Sequence, residues 1–158
     1  MTLERLSVSS PIGSLTLVAS DRGLCAVNWG SVRAGRPSDN PVLRATATQL
    51  DEYFAGTRRV FDLPLDLRGT PFQNRTWRAL AEIPYGATVS YGEQAGRLGI
   101  PRAARAVGAA NGSNPLPIVL PCHRVIGANG ALTGYGGGLD VKRWLLAHEA
   151  GAGGSRSE

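Results

Sequence analysis

The chain opens with short runs in which apolar and polar residues interleave: LERLSVSS, SLTLVAS and LCAVNWG. These β-favouring runs, with the turn signals PIGS and DRG between them, predict a small antiparallel sheet over residues 3–30. VRAGRPSDNP is polar and carries proline and glycine, so it reads as a loop. From Pro41 the period changes. Val42, Ala45, Thr46, Leu50 and Tyr53 or Phe54 fall on one stripe of a helix that Gly56 ends. VFDLPLDLRG is extended, contains a proline, and reads as a linker into a second unit.

Helical spacing dominates after residue 70. In TPFQNRTWRALAEIP, Thr70 can cap a helix and Pro71 suits its first turn. Phe72, Thr76, Ala79, Leu80 and Ile83 share its apolar face. Ser90 followed by Glu93 forms a second capping signature, and Gly99 fits the helix end. IPRAARAVGAANGSNP starts another helix, with Pro101 near its beginning. Two short helices across a glycine turn predict a helix-turn-helix. LPIVLP reads as a buried strand or extended segment. Asn129-Gly130 between apolar residues signals a hairpin. LDVKRWLLAHEA predicts a closing helix with Val141, Trp144, Leu145 and His148 on one face, and GAGGSRSE a frayed tail. The expected organisation is an α/β N-terminal domain with linker over residues 1–69, a mostly helical domain over 70–150, and a flexible tail over 151–158.

Composition narrows the function classes. No apolar run is long enough to cross a bilayer, and MTLERLSVSS lacks the order of a signal peptide. A soluble, cytoplasmic protein is expected, with no membrane partner. Two cysteines make no disulfide framework, and neither sits at a zinc-motif spacing, so no metal is expected. Cys25, in a strand-like run, reads as a buried apolar residue. The net charge is +5. Residues 1–69 hold 8 basic and 7 acidic side chains, and residues 70–158 hold 9 and 5. The excess in the second half makes an anionic partner worth testing. Lys142 is the only lysine, so arginine-rich, Ala/Gly-rich composition explains part of the charge as well.

The stretch VLPCHRVIGANGALTGYGGG sets Cys122 directly beside His123, one of only two histidines. Nucleophile, metal ligand and core packing are all open on that pair alone. A cysteine nucleophile needs thiolate, and an imidazole helps to supply it. Neighbours on an extended chain point to opposite sides, so contact would need a bridging water or a local turn. The imidazole would need an acceptor behind it, such as Glu149.

Taken together, SYG, ARAVG, NP and PCHRVI resemble the O6-alkylguanine-DNA alkyltransferases, the methylated-DNA–protein-cysteine methyltransferases. The similarity runs through GLDVKRWLLAHE and back to TPFQNRTWRALAEIPYG. It is dense over residues 70–149 and looser over the N-terminal PIGSLTL. It implies an α/β fold, with a small ribonuclease-H-like sheet and helix followed by a winged-helix-like DNA-binding domain. It also implies roles for single residues. Cys122 would accept the alkyl group, His123 would activate it through water, and Glu149 would orient His123. Asn114 would brace the turn, and Tyr91 would stand beside the flipped nucleotide and donate to guanine. Arg105 would fill the gap left by the base, and Arg102 would meet phosphate, as would Arg75 or Arg78 if exposed. Ala104 and Gly108 would keep the helix thin enough for the minor groove. Val125, Tyr135 and Gly136 would line the base pocket, with Lys142 nearby.

The implied partner is double-stranded DNA containing O6-alkylguanine. The protein would be a monomer in solution, with cooperative assembly on DNA left open. It would act once, without cofactor, in a bacterial cytosol or nucleoid. Gly136 stands where some members carry serine, which predicts a looser loop. The cysteine and histidine set of zinc-binding members is missing. Three rivals make different predictions. An alkyltransferase-like binder would hold lesions without transfer, a transcription regulator would read one duplex sequence, and a Cys-His hydrolase would turn over repeatedly.

Overall fold

A computed structural model of the chain describes residues 2–152. The chain divides into two compact units, and the division falls between Arg68 and Gly69.

In the first unit β1 (Glu4–Val8), β2 (Leu15–Ala19), β3 (Leu24–Trp29) and β4 (Arg36–Pro37) form one sheet in the order β3-β2-β1-β4. β2 is central and buried along its whole length. α1 (Pro41–Phe54) turns Leu43, Thr46, Leu50 and Tyr53 inward, and the Asn40 side chain caps its start by accepting from the Leu43 N–H. Three expectations need correction. The sheet is mixed, because β4 pairs in parallel with β1 inside the supposed loop. Gly35 makes this possible. Its φ is +74°, and a Cβ there would sit 2.4 Å from the Leu3 carbonyl oxygen. The presumed linker is also docked. Leu24 donates to the Pro64 carbonyl at 2.8 Å and accepts from the Asp66 N–H at 2.9 Å. Finally, Cys25 is only half-buried, with its sulfur 3.7 Å from Asp66 Oδ2.

The second unit is built on helices whose starts the sequence encodes. α2 (Pro71–Leu80) begins with the reciprocal Thr70–Gln73 capping box, and α3 (Tyr91–Arg97) with the Ser90–Glu93 box. Gly99, at φ +80°, turns the chain toward α4 (Ala104–Gly112). Pro101 lies in the turn before α4 rather than inside it. Ala95, Leu98 and Val107 pack together with Phe72, Ala79 and Ile100 at the helix-turn-helix. The Trp77 indole N–H donates to the Ala110 carbonyl at 2.7 Å, which fixes α2 to α4.

Two further expectations fail here for identifiable reasons. LPIVLP is buried but not extended: Leu120 N–H bonds the Leu116 carbonyl at 2.8 Å, and Ile118 takes φ 73°. Prolines 115, 117 and 121 remove the donors a strand would need. Asn129-Gly130 makes a tight turn, closed by Gly127 N–H to the Ala131 carbonyl at 2.8 Å, but no hairpin. The strand before it, β6 (Val125–Ile126), pairs instead in parallel with β5 (Val89–Ser90). α5 (Leu139–Ala147) buries Lys142 and Leu145, and the Trp144 ring stacks on His148. A π-type turn, His148–Ala152, follows and includes the first two residues of the expected tail; residues 153–158 lie outside the described residues. Among the described residues no helix is long and apolar enough to cross a membrane.

Candidate active site

Cys122, His123 and Arg124 form one turn of 3-10 helix, entered through Cys122 N–H to the Leu120 carbonyl at 2.8 Å. With about three residues per turn, successive side chains fan apart instead of alternating. Cys122 opens on a cavity of about 280 Å³. Tyr91 from α3 and Gly108, Asn111 and Gly112 from α4 line one part of it, and Gly134, Tyr135 and Gly136 line another. His123 points inward and is fully buried. Asn114 holds the approach to the turn. Its amide donates to the Leu120 carbonyl at 2.8 Å, and its oxygen accepts from the Leu116 N–H at 2.9 Å.

Behind the turn lies a buried polar cluster. His123 Nε2 is 2.6 Å from Glu149 Oε2. Arg124 donates to Glu149 Oε1 at 2.8 Å and Oε2 at 3.0 Å, and to the Ile83 carbonyl at 2.7 Å. Burial alone would raise the Glu149 pKa. The hydrogen bonds from His123 and Arg124 outweigh it and hold the carboxyl well below the usual range. An ionised carboxylate only accepts, so His123 carries its proton on Nε2 and its lone pair on Nδ1. Nδ1 is buried and, among the described residues, has no hydrogen-bond partner. Burial also lowers the His123 pKa, against the pull of Glu149. It pushes the Cys122 thiol up, against the Asn114 hydrogen bond and the Lys142 charge.

A thiol facing a cavity, followed on the same turn by an imidazole whose Nδ1 is free to accept, is equipped for nucleophilic attack with proton removal. The known proteins that resemble this chain are specific about the reaction. The model of the 6-O-methylguanine DNA methyltransferase DNA-binding domain matches residues 71–151, and that of its ribonuclease-like domain matches residues 6–67. The chain belongs to this methyltransferase family. A methylated-DNA–protein-cysteine methyltransferase of Mycolicibacterium paratuberculosis is 53% identical over 152 residues, covering 93% of this chain and 92% of the relative. One from Methanosarcina acetivorans is 49% identical over 146 residues, covering 89% and 94%. The crystal structure of Mycobacterium tuberculosis OGT in complex with DNA superposes with a TM-score of 0.87 at 48% identity, covering 98% of this chain and 96% of that one. The family reaction is direct reversal of DNA alkylation by transfer of the alkyl group to a protein cysteine, and DNA is the partner.

Within this methyltransferase frame the residues singled out from the sequence fall into three groups. Cys122, Tyr91, Gly108, Tyr135 and Gly136 line the cavity, with His123, Glu149 and Asn114 supporting the turn. Arg102 and Arg105 are exposed, as are Arg75 and Arg78, while Ala104 is half-buried at the first turn of α4. Val125 and Lys142 lie outside the cavity lining. Val125 is sealed in the core, and its carbonyl accepts from Lys142 Nζ at 2.9 Å. Lys142 is 1% exposed and also donates to the Thr133 carbonyl at 3.2 Å, so it ties β6 to the glycine loop from below. Arg124, Asn111 and Thr133 are additions. The Arg124 signal was present in PCHRV, but an arginine next to a histidine gives no hint of burial on a glutamate 25 residues away. Asn111 exchanges amide hydrogen bonds with Gln94 at 2.8 and 3.3 Å, which locks α3 to α4 beside the cavity.

Proposed function

We propose that Cys122 is the alkyl acceptor, and that it takes the group from O6 of a guanine flipped out of duplex DNA. One observation carries this assignment: a single 3-10 turn sends the Cys122 thiol to a cavity and the adjacent His123 to a buried carboxylate. The sulfur lone pair forms the S–C bond as the C–O6 bond breaks, and the bonding electrons pass to the guanine ring. The thiol proton moves through water to His123 Nδ1, and Glu149 keeps that nitrogen free to receive it. Guanine leaves poorly unless donors meet its growing charge. The Tyr91 hydroxyl and the backbone N–H of Gly136 are suited to that task. The thioether formed is a poor leaving group, so each molecule acts once.

Access to O6 requires extrusion of the nucleotide, which costs a few kcal/mol, less at a damaged pair. α4 suits the minor groove. The groove is about 6 Å wide and a fully dressed helix about 10–12 Å across, so Ala104, Gly108 and their small neighbours allow closer approach once the groove is widened. Arg105, exposed on α4, fills the vacated stack, and Arg102 meets phosphate. We assign residues 70–150 as the working domain, residues 1–69 as its α/β companion, a monomeric state in solution, and the bacterial cytosol or nucleoid as the place of action.

The decisive experiment incubates the protein with duplex DNA containing O6-methylguanine and weighs the Cys122 peptide. Gain of one CH2 on that peptide, with stoichiometry ending at one methyl per chain, is the expected result. Tight lesion binding with an unchanged Cys122 mass would replace transfer by recognition alone.

A further inference from the structure

The Tyr91 hydroxyl is 2.7 Å from Thr133 Oγ1. The pair joins two parts of the cavity's surroundings, since Tyr91 begins α3 and Thr133 enters the glycine loop that carries Tyr135 and Gly136. Thr133 does not itself line the cavity. Both ends of this contact are held. A Cβ on Gly108 would lie 3.6 Å from the Tyr91 ring, so the ring lies against the α4 backbone at ordinary contact distance. On the other side the buried Lys142 grips the Thr133 carbonyl.

From this geometry we infer that Thr133 is a positioning residue for transfer, which sets the Tyr91 hydroxyl for donation to the departing guanine. The inference rests on the role proposed above for Tyr91. A phenol has one proton and can accept as well as donate. When Thr133 donates to the Tyr91 oxygen, the phenolic proton is left to point into the cavity. A hydroxyl that accepts one hydrogen bond also donates a stronger one. Thr133 therefore acts on the leaving group through Tyr91, without touching it.

The test is a double-mutant cycle on the full chain, read as the single-turnover rate of methyl transfer at saturating O6-methylguanine duplex. Valine matches threonine in shape and lacks only the hydroxyl. Thr133→Val slows transfer about three- to tenfold, the effect of one lost hydrogen bond, while duplex affinity holds. Thr133→Ser restores the rate to within about twofold, because the donor returns. In a Tyr91→Phe background Thr133→Val adds no further loss. A Thr133→Val chain that transfers at the parent rate overturns the inference. So does an equal slowing with and without the Tyr91 hydroxyl, which would make Thr133 a purely structural part of the loop. No transfer by the parent chain would sink the proposed function itself, and the cycle separates that failure from this one.

Discussion

Glu149→Gln is the sharpest perturbation of the site, because it keeps the shape of the side chain and reverses one hydrogen bond. The carboxylate receives His123 Nε2 at 2.6 Å, Arg124 at 2.8 and 3.0 Å, and the Gly86 N–H at 3.3 Å. All four hydrogen bonds, from three partners, are donated to the carboxylate, and an amide offers one acceptor oxygen and one NH2. Turning the NH2 toward Arg124 and Gly86 would set donors against donors. Turning it toward His123 sets it against Arg124 Nη2 alone, which costs less, since the imidazole can respond by moving its proton from Nε2 to Nδ1. That tautomer has no lone pair on the side proposed to take the thiol proton. Loss of a positioned base costs about 10²–10⁴-fold in rate, and single-turnover transfer should fall by that factor. Duplex affinity should hold, because Glu149 is buried and the exposed Arg102 and Arg105 are untouched. Stability should also fall. Arg124 would keep its charge in the interior without a counter-ion, which costs about 3–5 kcal/mol out of a typical 5–15 kcal/mol, roughly. Urea unfolding of the same samples gives that figure and fixes conditions in which the variant is folded. Transfer by the folded variant within about threefold of the parent would refute the tautomer argument.

Two more outcomes follow from the same geometry. Arg105→Ala should slow transfer from duplex DNA about tenfold or more, a modest share of the cost of unstacking, and leave reaction with free O6-benzylguanine unchanged; equal losses on both substrates would remove the flipping role. Burial raises the Cys122 thiol above its ordinary 9.0, so thiolate appears only as pH climbs past that value, and iodoacetamide labelling of the Cys122 peptide should still be rising at pH 9.0; a plateau near pH 7, roughly, would mean a preformed thiolate.

Local rules made much of the scaffold legible. Both capping boxes, at Thr70 and Ser90, are encoded within four residues, and the helices start where those signals stand. The stripe on α1 could be read for the same reason, since helical period is a property of neighbours. What escaped depends on residues far apart in sequence. β4 exists because Gly35 lets residues 36 and 37 reach β1, some thirty positions earlier in the chain. The Asn129-Gly130 turn formed, but its hairpin did not, because Val125 pairs with Val89 instead. The site divides in the same way. The cavity residues Tyr91, Tyr135 and Gly136 were named on family resemblance, while Arg124 and Thr133 were invisible to local pattern. Lys142 was placed near the pocket, yet only the fold shows it buried below the glycine loop.

The placement of Cys122 and His123 on one turn also bears on how a reactive cysteine can be kept quiet. Burial drives the thiol up and the imidazole down, and both shifts oppose a resting thiolate–imidazolium pair. The buried cluster is already balanced, with Glu149 anionic and Arg124 cationic. A proton on His123 would leave that cluster with a net positive charge out of contact with water, which is unfavourable at rest. It becomes favourable only when a compensating negative charge develops nearby, as the proposed reaction would supply when electrons flow onto a guanine held in the cavity. In the proposed reaction, proton removal would thus be coupled to the presence of the substrate rather than completed beforehand. Arg124 reinforces this coupling: its charge opposes a proton on His123, adding to the larger effect of burial and acting against the pull of Glu149.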